Sequence, residues 1–158
     1  MKRTNFKLLL LCIIIPLAVG GLSALLTKDN MIAFQYIKKP PLTPPASVFP
    51  IVWTILYALM GIASYLVITS NAPASDKKSA ILFYGLQLIF NFFWSIVFFN
   101  LEAYLFAFVW LIILWLLIIV TTVKFYRINK TAGLLLLPYL IWVSFAAYLN
   151  YGVYRLNK

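Results

Sequence analysis

The sequence predicts an all-α membrane protein, a bundle of five transmembrane helices forming a single domain over residues 1–158. Three observations carry that prediction. Hydrophobic residues make up 65% of the chain and charged residues 10%, and the mean hydropathy is +0.99, well outside the balance of a soluble domain. Five apolar runs reach the roughly 20 residues that a helix rising about 1.5 Å per residue needs to cross a hydrocarbon core about 30 Å thick. These runs are continuously apolar. A transmembrane β-barrel would instead show short segments of alternating polarity, since lipid forces every backbone group to find its partner inside a helix or a closed barrel.

The first run, Leu8 to Leu26, follows the basic residues Lys2, Arg3 and Lys7. That start resembles a signal peptide, but the apolar run is longer than a signal core and no small-residue cleavage site follows, so a retained helix is expected. Cys12 is the only cysteine. It has no partner for an internal disulfide, and its place inside an apolar run fits a small packing residue. A long connection, Thr27 to Val48, then carries "KPPLTPP" and leads into the second run, Phe49 to Thr69. Prolines fix φ, remove donors and push each preceding residue toward extended geometry, so this connection reads as a stiff strap. Pro50 falls in the first turn of the second helix, where its missing N–H costs nothing.

The polar turn "NAPASDKKS" precedes the third run, Ala80 to Phe99, and the tight link "NLEA" precedes the fourth, Tyr104 to Val123. "YRINKT" then introduces the fifth, Ala132 to Val153. Short links make consecutive helices antiparallel, and the expectation is that helices two and three, three and four, and four and five lie side by side. No internal repeat is visible, which argues against a transporter built from inverted repeats.

Thirteen Lys and Arg against three Asp and Glu give a net charge of +10. The basic residues are scattered among loops and termini without a dense run, so a nucleic-acid partner is not expected. Topology explains them better. Counting from Lys2, Arg3, Lys7, Lys77, Lys78, Lys124, Arg127 and Lys130 on one side to Lys28, Lys38, Lys39, Arg155 and Lys158 on the other, the excess favours a cytoplasmic N-terminus.

There is no histidine, and the acids Asp29, Asp76 and Glu102 stand in separate connections. A carboxylate pair, a histidine-based triad, a His or multi-Cys metal site and an iron-ligating haem motif all lack their residues. Ionisable groups for an intramembrane proton relay are also missing from the spans. No cofactor is required by any of these residues.

The spans carry instead aromatic and small polar residues at helical spacing. Trp53, Tyr57, Gly61 and Ser64 share one face of the second helix; Gln87, Asn91, Trp94 and Ser95 share one face of the third. On the fifth, Pro138, Trp142, Phe145 or Ala146, and Leu149 or Asn150 line one side. Two uses fit such faces. They fill the bundle core, with Gln87, Asn91 and Asn150 bonding neighbouring helices, or they line a pocket for a flat, mostly apolar guest.

At these residues the chain resembles the TspO/MBR family, the translocator proteins and tryptophan-rich sensory proteins also known as peripheral-type benzodiazepine receptors. The matching blocks are "KPPLTPP", "VWTILYALMGIASYLV", "QLIFNFFWSIVFF" and "LLLPYLIWVSFAAYLNYGVYRLN", in order and across nearly the whole chain. The resemblance implies a five-helix bundle, commonly a homodimer, in a bacterial cell membrane for a chain of this type. It implies a cavity that binds porphyrin as ligand, along with other planar hydrophobic molecules. The implied lining is Trp53, Asn91, Trp94, Trp142, Ala146 and Leu149, with Phe49, Pro44 and Pro45 near the opening; Tyr57 and Gln87, from the faces read above, and Phe106 on the fourth helix join them as candidate ligand-binding residues. Trp53 and Trp142 are the positions associated in some members with light-dependent porphyrin breakdown, so they are the candidates for that chemistry. Two departures matter: Ala33 and Phe34 stand where the family usually has tryptophan and tyrosine, and Phe106 and Trp110 stand where it commonly has tryptophan and aspartate. The resemblance thus implies a porphyrin-binding receptor or carrier, with light-dependent degradation and a ligand-free interaction protein as the alternatives.

Overall fold

The computed structural model describes residues 4–158 and consists of helices joined by short links. Helix α1 runs Phe6–Phe34, with the side chain of Asn5 accepting a hydrogen bond from the Leu8 N–H at 3.2 Å. It continues two turns beyond the apolar run that ends at Leu26. The polar residues Lys28, Asp29 and Asn30 end the hydrophobicity but not the helix, because nothing there removes a backbone donor before Pro40. The Thr27 hydroxyl bonds back to the Ser23 carbonyl at 2.9 Å, and the Asn30 amide reaches Asn100 at 2.8 Å. The strap is therefore shorter than expected, from Gln35 to Ser47.

Helix α2 spans Val48–Ile68 and α3 spans Ala74–Ser95, the latter running on into a π-helical turn at Ile96–Asn100. Helix α4 covers Tyr104–Ile128. The fifth span is two pieces, α5 at Lys130–Leu135 and α6 at Leu137–Leu156, separated at Leu136. Pro138 supplies the reason: it lacks the N–H that would continue the ladder, so the chain turns before it and restarts with Pro138 in the first turn. Counting α3 with its π turn and α5 with α6, five helical spans are long and apolar enough to cross a bilayer.

The order of the spans around the bundle differs from the order in sequence. Helix α1 packs against α2 on one side and against α3 with its π turn on the other; α4 packs against α3, α5 and α6; α2 packs against α5. Going round, the spans follow one, two, five, four, three. Helices α2 and α3, expected as neighbours, touch only lightly and face each other across the middle. Their link, residues 69–73, reaches about 17 Å when extended, which is enough to cross.

The tightest seam lies between α1 and α2. A Cβ on Gly61 would stand 2.5 Å from the Ile13 Cα and 2.6 Å from the Cys12 carbonyl oxygen, so only glycine allows the two backbones to meet. Below it Met60, Ala63, Val67, Leu114, Ile118, Phe125 and Val143 form a dry core. The outward faces are apolar as well: Leu11, Ile14, Leu22, Leu25 and Leu26 on α1 are all more than half exposed or nearly so, which suits lipid and not water.

The strap, the α3–α4 turn and the C-terminus share one end. Asn30 bonds Asn100, and Asn157 bonds the Lys38 backbone on both its N–H and its carbonyl, at 3.1 and 2.8 Å. Gly152 lets Pro40 lie against α6, since a Cβ there would meet the proline ring at 2.5 Å, and the Tyr148 hydroxyl donates to the Pro41 carbonyl at 2.9 Å. The strap is thus fastened to α6 along its length.

Candidate ligand site beneath the strap

Because α2 and α3 face each other across the bundle, polar side chains from both meet at its centre. The Tyr57 hydroxyl donates to Asn91 Oδ1 at 2.7 Å, Asn91 Nδ2 donates to the Tyr139 hydroxyl at 2.8 Å, and that hydroxyl donates to Gln87 Oε1 at 2.7 Å. Gln87 Nε2 ends the chain on the Met60 sulfur, a weak acceptor at 3.9 Å. All five side chains are buried. A buried polar group without a partner costs about 1–3 kcal/mol, so a continuous chain of donors is what makes these residue types tolerable at this depth. Gly20 supports it from α1, where a Cβ would collide with the Tyr57 ring.

Toward the strap the network gives way to rings. Trp53 stacks on Tyr57 with centroids 5.5 Å apart and meets Tyr139 edge-on at 6.1 Å. Phe49 meets Trp142 edge-on at 5.9 Å. These contacts span α2 and α6, whose backbones make little close approach to each other. Large side chains therefore bridge a gap between two helices that do not themselves touch. Trp53, Trp142, Phe49 and Ala146 are only partly buried, and the first, second and fourth pack against the main core.

Three of the five indole donors are bonded within the protein. Trp94 donates to Asn150 at 3.1 Å, Trp110 to the Phe90 carbonyl at 2.8 Å, and Trp115 to Ser144 at 2.8 Å. Trp142 Nε1 is buried and has no hydrogen-bond partner, a condition it shares among the described residues with the Tyr84 hydroxyl on α3. An orphan donor of this kind in the ring-filled gap calls for an explanation, because such groups are rare in native structures.

Of the residues singled out from the sequence, Trp53, Tyr57, Asn91 and Gln87 are linked in a chain that runs through Tyr139, and Phe49 and Trp142 form a separate ring pair. The amides of Gln87 and Asn91 are engaged within the protein. Trp94 lies toward the strap end of α3, stacked on Phe98 at 5.2 Å and tied through Asn150 to the Tyr104 carbonyl. Leu149 is buried on α6 beside Asn150, Pro44 is half-buried and Pro45 is exposed in the strap. Phe106 stands apart: it is 54% exposed on α4, with its ring 6.0 Å from Trp110. Tyr139 was missing from the sequence reading although it holds the network together. A tyrosine in the middle of an apolar span needs a hydrogen-bond partner, and two tyrosines with two amides in facing spans were the available signal.

The TspO/MBR family model matches residues 12–155. The chain belongs to the TspO/MBR family. Among TspO/MBR relatives, it is 39% identical over 150 residues to a protein named tryptophan-rich protein TspO from Chlorobaculum tepidum, covering 94% of this chain and 95% of that one. It is 37% identical to the tryptophan-rich sensory protein of Cereibacter sphaeroides, over 85% of this chain and 81% of that protein. The human translocator protein is 37% identical over 77% of this chain and 72% of its own length. With five spans and this membership, the TspO/MBR chain is a multi-pass integral membrane protein.

Proposed function

We propose that the protein is a membrane receptor or carrier that takes a flat tetrapyrrole, a porphyrin, into the gap between α2 and α6 beneath the strap. The observation that carries this reading is the Trp142 indole N–H, buried and unbonded among rings that bridge two separated helices. Entry of the guest parts Phe49 from Trp142. The guest then stacks on indole faces, each such pairing contributing about 0.5–1.5 kcal/mol beyond area burial, while a carbonyl or carboxylate accepts from Trp142 Nε1. The polar network behind it is already satisfied, so it forms a rigid floor and leaves Trp142 as the donor that selects the guest. The names of the relatives, sensory and translocator proteins, support a receptor or carrier role.

A titration with protoporphyrin, read by quenching of tryptophan emission, tests this. Saturable quenching is expected for the natural chain and its loss for Trp53→Ala combined with Trp142→Ala. An unchanged titration in the double variant refutes the site. Light-dependent degradation is the second reading, favoured by the stacking of Trp53 on Tyr57, which brings two oxidisable rings together. Illuminated and dark samples separate the two, since a binder alone leaves porphyrin absorbance no lower than the same light does without protein.

A further inference from the structure

A recess lies at the strap end of the bundle, away from the rings between α2 and α6. It measures about 20 Å³ and is walled by Asn30, Ala33, Phe34 and Ile37 on one side and Phe98, Phe99, Glu102 and Tyr104 on the other. Its rings form a box. Phe34 lies 5.5 Å from Phe98 at 60° and 5.4 Å from Phe99 at 81°, and Phe98 lies 5.1 Å from Tyr104 at 59°. These rings pack edge to face, and together they give the recess an aromatic wall of the kind that attracts a cation.

The polar groups at this recess are acceptors. Glu102 brings a carboxylate that has no ion-pair partner among the described residues. Asn30 commits its amide N–H to Asn100 and keeps its carbonyl oxygen. Lys39 of the chain itself sits over the Phe34 ring with Nζ 5.1 Å from the centroid, and donates to the Gln35 carbonyl. Glu102 also holds φ at 48°, a left-handed conformation that a non-glycine residue adopts at a cost, and it does so directly after the π turn.

From this juxtaposition of an aromatic box, a free carboxylate and a small volume, we propose that the recess binds a primary ammonium group, that of an aminoethyl-phosphate lipid headgroup. Size decides the class of cation. A recess this small suits a compact ammonium group better than the bulkier trimethylammonium. Location decides the source. The recess lies where α1 ends and α4 begins, at the ends of two spans, and the nearby Ile32, Leu101 and Leu105 are 58%, 64% and 47% exposed, an apolar surface suited to acyl chains. Ala33 contributes only a methyl group to the wall of the recess.

Native mass spectrometry of the full-length protein released from bilayers of equal parts phosphatidylethanolamine, phosphatidylcholine and phosphatidylglycerol tests the proposal. Retention of the ethanolamine lipid at least fivefold above the other two is expected, falling to parity in Glu102→Gln and in Ala33→Trp. Glu102→Gly should raise the melting temperature by relieving the backbone yet lose the preference, which separates ligand binding from folding. Equal retention of all three lipids by the natural chain, or a preference that survives both Glu102→Gln and Ala33→Trp, overturns it. Millimolar ethylammonium chloride distinguishes the sources: failure to displace the lipid supports a lipid site, whereas full displacement overturns the lipid assignment in favour of a free amine.

Discussion

Helix α2 meets its two flanking neighbours in opposite ways. Against α1 it uses Gly61 to bring backbones into contact, with no side chain between them. Against α6 it uses Phe49, Trp53 and Tyr57, rings that reach across a gap the backbones leave open. One face of a single helix is therefore a fixed hinge line and the next is a surface whose filling is replaceable. In lipid this contrast has a physical basis: helices gain nothing from hiding apolar surface from lipid tails, so close packing of small residues holds one seam while the other is held by hydrogen bonds and ring contacts.

The largest effect should come from breaking the fixed seam. Gly61→Val forces side-chain atoms into the Ile13 backbone and is expected to cost about 3 kcal/mol, read by reversible unfolding in mixed micelles. A loss below about 1 kcal/mol would mean that the seam opens easily. Next, Asn91→Ala leaves the Tyr57 hydroxyl without its acceptor and Tyr139 without its donor, and should cost about 2 kcal/mol by the same measurement. Asn91→Asp is the sharper probe, because it retains an acceptor for Tyr57 and should recover part of that loss. The smallest effect belongs to Gly21, one residue from Gly20 but facing open space. Gly21→Ala should stabilise by about 0.5–1 kcal/mol through helix propensity alone, whereas Gly20→Ala should destabilise by displacing the Tyr57 ring.

The five spans were legible in the sequence because bilayer thickness sets a length that hydropathy alone reveals. The two extra turns of α1 were not, since Lys28 to Asn30 stop the apolar run without stopping the helix. The order of spans around the bundle was hidden for a different reason. A five-residue link fixes direction but reaches far enough to join helices that are not adjacent, and the partner of α2 is decided by Gly61 and by contacts with α5. For the site, periodicity placed Trp53 with Tyr57 and Gln87 with Asn91 on their faces. It missed Tyr139 because Trp142 dominated that face, and it gave no indication that Phe106 points outward on α4 or that α3 ends in a π turn.

The central claim is that the unbonded Trp142 N–H is the donor that holds a flat guest between α2 and α6. The most direct measurement is the protoporphyrin Kd of Trp142→Phe beside that of Trp115→Phe, whose indole on α4 already bonds Ser144. Removing one hydrogen bond to a charged acceptor should weaken binding about tenfold in Trp142→Phe and leave Trp115→Phe unchanged. Equal affinity in both variants and the natural chain would contradict the account.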